Sequence, residues 1–142
     1  MSVRVDDLLG LARQHAKVGK LFAQNEQFVL AQAQQAAGCN AKHKIPGRFS
    51  TWILRASDAT GADVLHLTQE YIAQMLGVQR ASVSVFAHGL QDEGLISYRR
   101  GNIRILDREA LERRACGCYG ALRALRHRIF GGRGESEEET PQ

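Results

Sequence analysis

The chain has 142 residues, of which 44% are hydrophobic and 24% charged, and a formal net charge of +4. That length suits one domain plus an extension. No run of about 18 apolar residues marks a membrane span, and no basic segment followed by an apolar one marks a secretory leader. Three cysteines, an odd count, argue against a disulfide framework and fit reduced thiols in a reducing compartment. The charge is unevenly spread. Residues 99–133 hold ten arginines and three acids, whereas Glu135, Glu137, Glu138 and Glu139 crowd the end; without those four the charge is +8. A basic body with a short acidic tail suits a polyanionic partner.

In chain order, Asp6 and Asp7 stand where acids favour a helix start. Leu8, Leu9, Leu11 and Ala12 continue that helix, and Gly19 is the expected bend. From Lys20 to Lys44, Leu21, Phe22, Phe28, Val29, Ala33, Ala36 and Ala37 recur at helical spacing. A helix of that length should pair with a second copy of itself in a coiled-coil-like dimer. Leu21, Phe22, Phe28, Val29, Ala33 and Ala36 are the expected dimerisation residues. The other reading is that the helix folds back on its own chain. Pro46 suits a first helical turn, where its missing N–H has no partner anyway. A helix from Pro46 to Ser57 should bury Phe49, Trp52, Ile53 and Ala56. Residues 58–62 form a loop, and Val64 to Leu67 a short strand.

The stretch from Leu67 to Phe86 carries the strongest pattern. Thr68 is a helix N-cap. Ile72, Met75 and Leu76 form one apolar face, and Gly77 ends the helix in a left-handed conformation. A second apolar set, Val83, Phe86, Ala87 and Leu90, starts immediately after. Two helices joined by a tight turn form the helix-turn-helix that lays its second helix in the DNA major groove. Leu95, Ile96 and Tyr98 suit a strand, Arg99-Arg100-Gly101-Asn102 a turn with a basic tip, and residues 103–106 a half-buried strand. A helix-turn-helix followed by such a hairpin is a winged helix. A further helix is expected from Asp107 to about Ile129, with disorder from about Gly131 onward.

These residues carry a resemblance. Leu67-Thr68-Gln69, Ile72-Ala73, Leu76-Gly77, Arg80-Ala81-Ser82-Val83, Leu90, Gly94-Leu95-Ile96, the Arg-Gly turn and Ile103 together resemble the C-terminal DNA-binding domain of the Crp/Fnr, or cyclic-AMP-receptor-type, transcription regulators. The likeness extends upstream through Cys39-Asn40 and Arg48 to Trp52, and downstream to residues 107–112. It covers roughly residues 18–119. It implies a mainly α fold with a small β-hairpin wing, preceded by a long dimerisation helix. The expected organisation is 1–45 N-terminal helices, 46–130 winged-helix domain with C-terminal helix, and 131–142 acidic tail. Family members carry a β-roll sensor before the long helix. Here only residues 2–5 could end such a roll, and no phosphate-binding cassette for a cyclic nucleotide is present. The chain is read as a natural sensorless form or a fragment of a longer regulator.

The resemblance implies a homodimer on double-stranded DNA in a bacterial cytoplasm, with RNA polymerase as a further partner and no membrane. Rotation by 100° per residue from Val83 puts Ala81, Ser84, Val85 and His88 opposite the buried face. The expected base-contacting residues are Arg80, Ala81, Ser84 and Val85. Arg80 aligns with a base-reading arginine, and arginine can grip guanine through O6 and N7. Ala81 and Val85 stand where the best-known members carry charged readers, so a different base preference is expected. Thr68, Gln74, Gln79, Ser82, Arg99 and Arg100 are expected at the DNA backbone, where short polar and basic side chains meet phosphate.

No catalytic residue, cofactor or metal is expected. His15, His43, His66, His88 and His127 are scattered, and Cys116-Gly117-Cys118 has a shorter spacer than zinc sites usually show. A site could be drawn from these cysteines with Cys39 and His127. The preferred reading puts Cys116 and Cys118 on the C-terminal helix as small packing residues. The rival function is a winged-helix module that pairs with full-length family members and modulates their DNA binding.

Overall fold

A computed structural model describes residues 4–131. The expected acidic tail beyond 131, and residues 2 and 3 of the suggested β-roll end, lie outside the described residues. The described chain divides into two units. One combines the described parts of 1–36 and 121–142, and the other is Ala37–Gly120.

Within Ala37–Gly120, three left-handed glycines set the element boundaries. Helix α3 (Ile45–Thr60) begins with Pro46 in its first turn and stops at Gly61, φ 66°. After strand β1 (Val64–His66), helix α4 (Gln69–Leu76) is opened by Thr68, whose hydroxyl accepts the Tyr71 N–H at 3.2 Å. Gly77, φ 65°, ends α4 and turns the chain into helix α5 (Arg80–Asp92). Gly94, φ 72°, then admits strand β2 (Ile96–Arg99). Each φ lies where a side chain is strained and glycine is not. Strand β3 (Asn102–Ile105) completes an antiparallel sheet of order β1-β3-β2. Leu65 faces Ile103, and Ile96 faces Ile105.

The hairpin between β2 and β3 has only Arg100 and Gly101 between paired residues, both with positive φ (49° and 77°). That conformation matches the right-handed twist of the strands. Arg100 is the only non-glycine residue with positive φ among the described residues.

The core of this unit collects the apolar faces of every element: Phe49, Ile53 and Leu54 of α3, Ile72 and Leu76 of α4, Val83 of α5, Ile96 and Ile103 of the sheet, and Leu111. Trp52 and Ala56 are only partly buried against it. Met75 is not part of it. Its side chain is 51% exposed, because in so short a helix Ile72, Ala73 and Leu76 already fill the buried stripe.

The expected single C-terminal helix is two helices, α6 (Arg108–Arg114) and α7 (Cys118–Phe130). The break at 115–117 has a tertiary cause. Instead of bonding back along a helix, the Cys116 N–H donates to the Gly47 carbonyl at 3.2 Å and to Thr51 Oγ1 at 3.1 Å. Cys116 therefore lies between helices, not on one, and only Cys118 opens α7. Arg108 ties α6 to α3. It bonds Asp58, Ser57 Oγ at 3.1 Å and the Tyr119 hydroxyl at 3.0 Å, and that hydroxyl donates to Asp58 Oδ2 at 3.0 Å. Burial works against the Arg108 charge, yet Tyr119 and Asp58 together hold its pKa above the ordinary arginine value.

The other unit is built from helix α1 (Val5–Gln14) and the greater parts of helix α2 (Ala16–Lys42) and of α7. Val5 begins a helix here, not the end of a β-roll. The bend falls at His15, whose backbone is extended, not at Gly19. A Cβ on Gly19 would sit 3.0 Å from the Ala12 carbonyl oxygen. Gly19 thus allows the two helices to approach closely. The end of α7 packs on α2: Phe130 meets Phe28 edge-on at 5.7 Å, and Gln24 donates to the Ile129 carbonyl at 2.6 Å. No described helix is long and apolar enough to cross a membrane.

Candidate nucleic-acid interface

Helix α5 separates its faces sharply. Val83, Ala87 and Leu90 are buried, while Arg80, Ala81, Val85 and His88 are exposed and Ser84 is half-buried. Val85 is 67% exposed, although β-branched apolar residues are usually found inside. His88 bonds back to the Ser84 carbonyl through Nδ1 at 2.7 Å, which holds its ring along the helix. Gln79 precedes α5 without a side-chain cap. The Ser82 N–H instead closes the first turn on the Gln79 carbonyl at 3.0 Å.

Gln74 and Gln79 are exposed, and Ser82 is half-buried at the first turn of α5. Thr68 is committed to capping α4 as an acceptor, which leaves its hydroxyl proton free to donate. Arg99 and Arg100 are exposed at the hairpin tip, and Arg104 is exposed on β3.

The hairpin is held against the helix-turn-helix by three contacts. The Leu67 N–H donates to the Gly101 carbonyl at 2.7 Å, the Tyr98 hydroxyl donates to the Leu67 carbonyl at 2.9 Å, and the Tyr98 N–H donates to Gln91 Oε1 at 2.6 Å. Burial raises the Tyr98 phenol above its ordinary pKa, and the positive charge of Arg80 pulls it partly back. Arg80 and the wing therefore share one electrostatic neighbourhood. Arg48 adds support from α3 by donating to the Leu76 carbonyl at 2.6 Å, where the end of α4 has unpaired acceptors. The positioning roles of Tyr98, Gln91 and Arg48 leave no mark in the sequence pattern, because their partners are backbone groups that only the fold brings to them.

A second constellation was dismissed by spacing alone. Cys39, His43, Cys116 and Cys118 place their ligand atoms all within 4.8 Å of one another. The Cys39 and Cys116 sulfurs are 3.5 Å apart, and His43 Nδ1 is 3.3 Å from the Cys118 sulfur. The structure brings His43, not His127, to these cysteines. The signal was the four-residue step from Cys39 to His43, one helical turn, beside a Cys-x-Cys. Burial, then hydrogen bonds with Cys116 and Cys118, pushes the Cys39 thiol up to about 12. Burial opposes ionisation of Cys116 as well, but hydrogen bonds from Thr51, Cys39 and Cys118 hold it below the ordinary thiol value.

Residues 47–114 match the family described as the Crp-like helix-turn-helix domain. No curated protein matches the sequence. Among solved structures, the chain is similar to FixK2 from Bradyrhizobium japonicum, with TM-score 0.70 and 18% identity, over 81% of this chain and 60% of that one. It is also similar to a structure described as a transcriptional regulator of the Crp/Fnr family from Eubacterium rectale, with TM-score 0.55 and 24% identity, over 78% of this chain and 53% of that one. At these identities the likeness speaks for the fold, and the chain spans little more than half the length of those proteins. Residues 47–114, just under half of the chain, thus match a Crp-like helix-turn-helix domain, on a fold that the chain shares with those Crp/Fnr-type structures.

Proposed function

We propose that the chain is a sequence-specific DNA-binding transcription regulator that acts as a homodimer in the bacterial cytoplasm. The observation that carries this reading is the exposed face of α5. In a Crp-like helix-turn-helix, Arg80, Ala81, Ser84 and Val85 stand clear of the core beside a wing tipped by Arg99 and Arg100. Arg80 reads guanine through O6 and N7, and Val85 and Ala81 offer apolar contact to a thymine methyl. Thr68, Gln74, Gln79 and Ser82 meet phosphate from the first helix and the turn. Arg99 and Arg100 meet it from the wing, where neutralising charge releases counterions.

The dimer is supported by α2, where Leu21, Phe22 and Val29 remain exposed and Ala33 lies between them and the half-buried Ala36. Phe28, expected in that seam, packs instead on Phe130 within its own chain. Twofold symmetry then calls for a pseudo-palindromic site with half-sites about 34 Å apart. RNA polymerase is the partner such a regulator would engage once on DNA.

The test is selection from a randomised DNA pool at two salt concentrations, with the wild type and Arg80→Ala side by side. The reading expects an inverted repeat, affinity that falls steeply with salt, and relaxed preference at one base position in each half-site for the variant. Wild-type binding without an enriched motif, and indifference to Arg80, would favour a module that pairs with other family members.

A further inference from the structure

We infer that Cys39, His43, Cys116 and Cys118 form a closed tetrahedral site for one zinc-class divalent cation. All four residues lie within Ala37–Gly120, the unit that holds the helix-turn-helix.

Geometry is the first argument. Tetrahedral zinc with bonds of about 2.3 Å to sulfur and about 2.0 Å to nitrogen separates two sulfurs by roughly 3.8 Å, and a sulfur from a nitrogen by roughly 3.5 Å. Cys39 and Cys116 show 3.5 Å, Cys118 and His43 show 3.3 Å, and every other pair falls within 4.8 Å. One small ion reaches all four atoms at once. A cluster of several irons would instead distribute the cysteines over separate metal atoms.

Local structure supplies the second argument. Cys39 lies in the last turn of α2, and His43, just past its end, still donates its N–H to the Cys39 carbonyl at 3.0 Å, so the two side chains fall on one side. Cys116 and Cys118 would diverge along a continuous helix. The break between α6 and α7 brings them to the same point. That break is held by the Cys116 N–H bonds to Gly47 and Thr51. Gly47 is also where a Cβ would press within 3.5 Å of the Cys116 Cβ and within 3.4 Å of its backbone nitrogen. The fold thus gives up a helical turn, and a side chain at 47, to present two sulfurs.

The surroundings complete the case. The Thr51 hydroxyl, on a residue only 5% exposed, lies 3.1 Å from the Cys116 sulfur while accepting the Cys116 N–H. It is thereby placed to donate to a thiolate, as outer partners of metal ligands do. Cys39 and Cys118 are buried, and His43 reaches in from the exposed rim. Three soft thiolates with one imidazole select zinc over magnesium or calcium. With four protein ligands and no open position, the site is structural and not catalytic.

The test is cobalt titration of the full reduced chain, followed by displacement with zinc and a metal count on the purified protein. The expected result is the visible spectrum of tetrahedral cobalt thiolate, saturating at one ion per chain and abolished by one equivalent of zinc. Cys39→Ser and Cys118→Ser should lose the spectrum, His43→Ala should weaken and shift it, and His127→Ala should leave it unchanged. Because the cysteine variants could fail to fold, the wild type carries an independent readout: zinc should protect three thiols from alkylation. The proposal is overturned if the wild type shows no thiolate spectrum and no protection, if the spectrum survives in Cys118→Ser, or if the native protein carries iron with inorganic sulfide.

Discussion

The two units of this chain use apolar residues in opposite ways. In Ala37–Gly120 the large apolar side chains converge, and Phe49, Ile53, Leu54, Ile72, Val83, Ile103 and Leu111 are wholly buried. In the other unit α1 buries nothing, and Val5, Leu9, Leu21, Phe22, Val29 and Leu30 stand open. A region with its own core holds its shape alone. A helix with an open apolar stripe depends on what covers it. On the proposed reading, the first unit supplies the frame for a recognition helix, and the second supplies a surface for association.

The contrast breaks most easily at the core. Phe49→Ala should destabilise Ala37–Gly120 by about 3–5 kcal/mol, measured by urea unfolding. An alanine at Val29 should leave that unfolding transition in place. Next in size is metal removal. If the four-ligand site is filled, chelation should lower the stability of the same unit by about 3–4 kcal/mol when zinc had been present at several hundred times its dissociation constant. A calorimetric scan with and without chelator would read this as a fall in the upper transition. An unchanged scan would count against the site.

The open stripe sharpens the other side of the comparison. Phe22→Ala with Val29→Ala should weaken self-association by about 2–3 kcal/mol, since each exchange removes apolar area from the seam. Sedimentation at several concentrations would show a shift toward monomer while the melting of Ala37–Gly120 stays put. Smaller again is Arg80→Ala, expected to weaken DNA binding by about 1–3 kcal/mol and to relax one base position, with no effect on stability.

Much of this was legible in the sequence because it depends on local rules. Thr68 as cap, Gly77 as left-handed stop, and the spacing of Val83, Ala87 and Leu90 each involve neighbours within a turn or two, and the structure reproduces them. The wing followed from alternation and an Arg-Gly turn, and the strand at Val64 does pair beside it. What escaped was long-range. The break at 115–117 comes from bonds to Gly47 and Thr51, more than sixty residues away. Met75 fitted the apolar spacing but lies just off the stripe that three other residues complete. The four metal-ligand candidates span 80 positions of sequence, from Cys39 to Cys118, and no spacing rule joins His43 to a Cys-x-Cys so distant. The open face of α5, proposed to read bases, was legible as a face. What it reads is a question of partner chemistry that no periodicity encodes.

The smallest effect tests whether recognition helix and wing behave as one piece. Tyr98 donates its hydroxyl proton to Leu67, and burial lifts its pKa above the ordinary value while Arg80 draws it down. Because the folded state holds this proton more tightly than the unfolded chain, its contribution is complete below the ordinary tyrosine pKa of about 10 and fades as pH rises through the folded value. Tyr98→Phe should therefore cost about 1 kcal/mol at neutral pH through the lost hydrogen bond and should blunt the loss of stability above pH 10. What remains is shared by Tyr119, whose phenol is also raised by burial and by Asp58, and by Cys39, whose thiol burial pushes up to about 12. Arg80→Ala should move the Tyr98 titration upward, because an opposing cation has been removed while burial is untouched. Phenolate absorbance followed against pH in both single variants reads this directly. A Tyr98 titration indifferent to Arg80 would mean that the wing and α5 do not share the electrostatic environment on which a joint grip on DNA depends.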